Sequence, residues 1–124
     1  MKLTTKAFDE TVQQAIAGIP DEINRHLENI VISVQRRPTR EMLRQLNFPP
    51  DEEPLGLYMG NSLMERSVFA PVNYPDTIYI FQEPLEEMCQ TQEELEEQIR
   101  ITVVHEIAHY LGMSDDRLDE LGYG

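Results

Sequence analysis

Basic residues are scarce in this chain: 10 Lys and Arg stand against 23 Asp and Glu, a net charge of −13. Sequence-independent nucleic-acid binding, which needs cations to neutralise phosphates, is therefore not expected. The deficit is local as well as global. No basic residue falls between Arg66 and Arg100, a span holding Asp76 and seven glutamates. The few cations gather earlier, at Arg36, Arg37, Arg40 and Arg44. Cysteine occurs once, at Cys89, so no internal disulfide can form, and a reducing cytoplasm is the expected setting. Long apolar runs are missing too. None approaches the roughly 20 residues that span a bilayer, and Asp9 and Glu10 break up the N-terminal stretch that a secretory signal would need.

What remains suits one folded domain over residues 1–124, 40% hydrophobic along its whole length. Phe8, Val12, Ala15, Ile16 and Ile19 recur at helical spacing, and Gly18 and Pro20 stop them. A short helix or turn follows from Pro20. Residues 29–36, rich in β-branched side chains and followed by Pro38, read as a strand. "TREMLRQLNF" reads as one or two helical turns, and "PPDEEP" as a loop. Further strands are expected at 55–60 and 76–82, with a short edge strand within "RSVFAPV" at 66–72. Interleaved helices and strands predict an α+β domain built on one small sheet.

Histidine is as sparse as cysteine is rare. Of three in the chain, two lie in "VVHEIAHYLGMSDD", residues 103–116. The helix carrying them has local signals at both ends. Thr91 and Glu94 form a capping box, and Gly112 supplies the left-handed residue that ends a helix, so it should run from 92 to 111. At about 100° per residue, His109 falls about 40° from His105, Thr102 about 60° and Glu106 about 100°. Ile99, Ile101, Val103, Val104, Ile107, Ala108 and Leu111 fill most of the remaining circumference. Two imidazoles and a carboxylate thus form one polar stripe on an apolar helix. Burying such groups costs several kcal/mol unless something compensates, and a metal ion would. Tyr110, at about 140°, is expected on the core face. Tyr123, the only tyrosine after the stripe, is read as a mobile tail residue.

Written out, the stretch is H-E-x-x-H-x-x-G-x-x-D, and it resembles the metzincin signature with aspartate in place of the usual last histidine. More narrowly, "NIVISVQRRP", "LGLYMG", "TIYIFQEPL" and "TVVHEIAHYLGMSDDRLDELGYG" come in the order seen in the minimal zincin-like metallopeptidases, small bacterial single-domain proteins. The resemblance implies a small twisted mixed sheet, a backing helix and an active-site helix. It also implies one zinc per chain held by His105, His109 and Asp115, with Asp116 the rival to the last. Glu106 would be the general base of a hydrolase that cleaves peptide bonds with zinc-activated water. The same donors could take iron or manganese; the glutamate beside the first histidine favours zinc.

The implied partner is a peptide or protein lying along an edge strand at 55–60 or 67–70, with neither nucleic acid nor membrane expected. Two other readings stay open. Small zinc endoribonucleases share H-x-x-x-H and a later third ligand, but lack the glutamate. A non-catalytic binding module could keep zinc for stability alone.

Overall fold

A computed structural model of the chain describes residues 1–49, 51–59 and 76–123. Helix α1 (Thr5–Ala17) starts at Thr4, whose hydroxyl accepts from the Ala7 amide at 3.1 Å. It buries Phe8, Thr11, Val12 and Ala15 on one face. Helix α2 (Asp21–Asn24) and a 3-10 turn (Arg25–Leu27) lead into strand β1 (Val31–Gln35). Thr39 caps helix α3 (Arg40–Gln45), and residues 51–54 carry neither helix nor strand before β2 (Gly56–Met59). The strand expected within 66–72 lies outside the described residues.

Strand β3 (Thr77–Phe81) takes the centre of a three-stranded mixed sheet, order β1-β3-β2. It is parallel to β1, from Val31↔Thr77 to Gln35↔Phe81, and antiparallel to β2, from Gly56↔Ile80 to Met59↔Thr77. The central position explains why β3 is buried almost throughout while β1, at an edge, leaves Val31 and Gln35 exposed.

Helix α4 (Gln82–Met88) follows β3 directly and was not expected from the sequence. Its start has no side-chain cap; the Glu83 amide instead donates to the Arg36 carbonyl at 3.0 Å. Pro84 sits in the first turn, where its missing N–H costs nothing. Buried Glu86 and Gln82 tie α4 to the N-terminal segment: Glu86 accepts from the Leu3 amide at 2.7 Å, and Gln82 donates to the Leu3 carbonyl at 3.1 Å.

The long helix α5 (Gln92–Leu111) has the predicted bounds. The Glu94 amide donates to the Thr91 hydroxyl at 3.1 Å, while the Glu94 carboxylate reaches back one residue further than a capping box requires, to the Gln90 amide at 3.1 Å. Helix α5 packs on α1 with one side and on β2 and β3 with the other. Leu95, Ile99, Val103, Val104 and Ile107 are all fully buried, joined in one core with Phe8, Ile23, Ile78, Ile80 and Leu85. That double-sided burial is why its sequence is apolar almost all round. A last helix, α6 (Asp115–Glu120), is capped by Ser114 and seats Leu118 in the core. No helix among the described residues is long and apolar enough to cross a membrane. The early arginine cluster is partly spent inside the fold: Arg37 pairs with Glu53, Glu83 and Glu87.

Candidate metal centre

Gly112 ends α5 at φ 69°, a left-handed conformation that costs glycine nothing. Its amide bonds the His109 carbonyl at 3.2 Å, and the Met113 amide bonds that of Ala108 at 2.9 Å, the six-residue closure of a Schellman turn. The turn sends the chain into α6. The same closure recurs at the far end of α6, where Gly122 has φ 88°, its amide meets the Asp119 carbonyl at 3.0 Å and that of Tyr123 meets Leu118 at 2.8 Å.

Between these turns lies the polar stripe. His105 is half-buried, and its Nε2 lies 2.7 Å from the Tyr123 carbonyl oxygen. A carbonyl has no hydrogen to give, so Nε2 carries the proton and donates. Glu106 is half-buried, and its Oε2 accepts from the Tyr58 amide at 3.1 Å. Burial holds this carboxyl above the usual carboxylate range, against the pull of that amide and of His109 and His105. His109 is exposed in the last turn of the helix.

The contact between Glu106 and Tyr58 depends on how closely β2 approaches α5. A Cβ at Gly56 would collide with Thr102 Cγ2 and stand 3.0 Å from the Tyr79 carbonyl, so only glycine lets the strand lie this near the helix. The Phe81 amide donates to the Leu55 carbonyl at 3.0 Å. In an antiparallel pair such bonding alternates, so Leu55 and Leu57 face β3 while Gly56 and Tyr58 present their main chain to the outer edge. Glu106 therefore sits beside the edge of β2 that faces away from β3.

Tyr110 departs from expectation. Rather than packing into the core it is 53% exposed, stacked on Tyr58 with ring centroids 4.6 Å apart and planes 21° from parallel. Four residues after Glu106, it sits about 40° from it around the helix, at the rim of the stripe. That spacing was the available signal for its place beside the site. Burial first, and then the Asp76 carboxylate, push the Tyr58 phenol above its usual range. Tyr123 is not a loose tail residue either: it is half-buried against the core. Its carbonyl and the Tyr58 amide are main-chain groups, for which the sequence gives no signal.

The stripe supplies two of the donors that zinc takes, the imidazoles of His105 and His109. His105 and His109 share one face of α5, as expected. Asp115 opens α6 as an exposed residue beside exposed Asp116. Among the described residues, no three His, Cys, Asp or Glu side chains converge into a group that could hold a metal ion, so Asp115 is not gathered with the two histidines. The two imidazoles are donors of a kind that suits such an ion; among the described residues no third donor is gathered with them.

The comparisons agree with the fold. The model of the zincin-like metallopeptidase family matches residues 27–124, and the chain belongs to that family. A solved structure, described as a conserved hypothetical protein from Thermo thermophilus, shares the fold. It has a TM-score of 0.59 at 20% identity, with 88% of this chain and 94% of that one covered. No curated protein matches.

Proposed function

We propose that the chain is a zinc-dependent metallopeptidase of the cytoplasm. His105 and His109 would hold the ion from α5, Asp115 would complete the set, and Glu106 would carry the proton. The observation that carries this reading is the placing of Glu106: a desolvated carboxylate on the histidine face of α5, steadied by one main-chain amide from the adjoining strand. Zinc, when bound, supplies the charge that polarises a water and the scissile carbonyl. Glu106 Oε2, anchored by Tyr58, keeps the carboxylate's other oxygen free to take a proton from the attacking water and pass it to the leaving nitrogen. A peptide would lie extended along the outer edge of β2, its main chain beside Gly56 and Tyr58, and the exposed face of Tyr110 would meet its side chains.

The test is metal content together with cleavage of a peptide library. The parent should hold about one zinc per chain, and His105→Ala or His109→Ala should lose it. Glu106→Gln should keep the zinc and lose hydrolysis by at least about a hundredfold. Undiminished hydrolysis in Glu106→Gln would reject the proton carrier. A zinc-loaded parent that cleaves nothing would turn the reading toward the stabilised binding module.

A further inference from the structure

Strand β1 is an edge that carries none of the usual guards. Its ladder with β3 is parallel, and the Val31 amide donates to the Asp76 carbonyl at 2.9 Å. Residues 31, 33 and 35 therefore turn their main chain toward β3, while Ile32 and Val34 turn theirs outward. Among the described residues, nothing bonds those outward amides and carbonyls. Folded proteins blunt such edges with lysine, proline, a bulge or a covering segment. "VISVQ" has neither charge nor proline, and Val31 is 45% exposed. Helix α1 stands off from the strand across a groove of about 550 Å³, lined on its apolar side by Val12, Ile16, Ile32 and Val34. The opposite edge of the sheet is partly used, since the Tyr58 amide is bonded to Glu106.

The two ends of β1 differ in charge. Glu28 stands before the strand and Arg36 after it, both exposed. Arg37 is committed to three glutamates, whereas neither Arg36 nor Glu28 makes an ion pair with a described residue.

We propose that β1 pairs with β1 of a second copy of the chain, antiparallel about a two-fold axis at Ser33. Identical edges that meet isologously in one sheet run antiparallel. Ile32 then faces Val34 of the second copy, each such pair exchanging two hydrogen bonds, and the three-stranded sheet is doubled. The same pairing brings these side chains together over the groove and covers its apolar side. It also lays the entry of each strand beside the exit of the other, so Glu28 of one copy neighbours Arg36 of the other on both sides of the axis. An in-register parallel copy would set Glu28 on Glu28 and Arg36 on Arg36. No residue of the proposed metal centre takes part.

Sedimentation equilibrium from micromolar to submillimolar protein reads the association, and the parent should be a reversible dimer. Val34→Pro removes an outward amide that takes no part in the ladder to β3. An edge strand tolerates proline there, and the variant should keep the parent's circular dichroism while dimerising at least about tenfold more weakly. Arg36→Glu and Glu28→Arg should each weaken the dimer, and the double variant, with opposite charges again facing across the axis, should recover it. Both positions are exposed, so the charge exchange decides even where Val34→Pro fails to fold. Crosslinking reads the register. Ser33 meets itself as a non-hydrogen-bonded pair with Cα atoms about 4.5 Å apart, within disulfide range. Ser33→Cys should therefore join two chains under mild oxidation, and Gln35→Cys, off the axis, should not. A parent that stays monomeric would overturn the self-pairing and leave the edge to an extended segment of another protein. A dimer indifferent to Val34→Pro and to both charge reversals would overturn it too, since the copies would then meet through another face. So would single reversals that weaken the dimer with no recovery in the double variant.

Discussion

As the proposed proton carrier, Glu106 has to be dry enough to hold a proton and still stand where one could be exchanged. The side chain that gives it this setting is its own, but the group that steadies it is the main-chain amide of Tyr58, 48 positions away. The difference explains what was legible at this scale. His105, Glu106 and His109 lie on one helix, so their angular positions follow from spacing alone. The Tyr58 amide and the Tyr123 carbonyl exist at every residue of every chain, and only the fold selects which of them matter. Tyr110 was legible in principle, because its spacing from Glu106 puts it at the rim of the stripe, where β2 covers it with Tyr58 instead of the core. Removing its ring in Tyr110→Ala should cost about 0.5–1.5 kcal/mol beyond the lost burial. A double-mutant cycle with Tyr58→Leu, read by urea unfolding, isolates that coupling. Additive single effects would mean the two rings merely adjoin.

Among the elements, those with local punctuation were legible and the one without it was not. Helix α5 begins at a threonine cap and ends at a left-handed glycine, and both bounds fall where the sequence puts them. Helix α4 begins straight out of β3 with no cap, and the carbonyl that satisfies its first turn belongs to Arg36 on the far side of a long connection. No reading of "QEPLEEM" by itself reveals that partner. The seam between β2 and α5 is the element-level contact on which the site depends, and it rests on a missing Cβ. Gly56→Ala should destabilise the fold by about 1–3 kcal/mol through overpacking. Thr102→Ser removes the colliding methyl yet keeps the hydroxyl that donates to the Gln98 carbonyl at 2.7 Å, and should restore part of the loss. Thermal melts of the two single variants and the double variant check this; no recovery in the double would place the clash at the Tyr79 carbonyl instead.

For the molecule as a whole, an acid excess of 13 charges makes each buried or half-buried cation count. Arg37 joins Glu53 of the loop before β2 to Glu83 and Glu87 of α4, and these carboxylates raise its already high affinity for its proton. In Arg37→Ala three like charges are left together. The variant should melt earlier than the parent at low ionic strength, and the gap should narrow in 1 M salt, where the screening length falls to about 3 Å. A gap indifferent to salt would assign the loss to packing of the arginine stem. Class and layer order were readable at this scale, since alternating patterns and a helix apolar on most sides require a sheet and a second helix to cover it. The pairing order β1-β3-β2 was not, because nothing in a strand's own residues names the distant strand it pairs with.

That pairing order has a kinetic consequence. Val31 meets Thr77 across most of the chain's middle, and α1, near one end, rests on α5, near the other. Neither contact can form early by local search, because the chain must first close a long loop, with its entropy cost, before either returns any stabilisation. Collapse from the denatured state should therefore wait on one distant encounter, and the segment that bears the histidines should acquire its rigid environment only as that encounter is made.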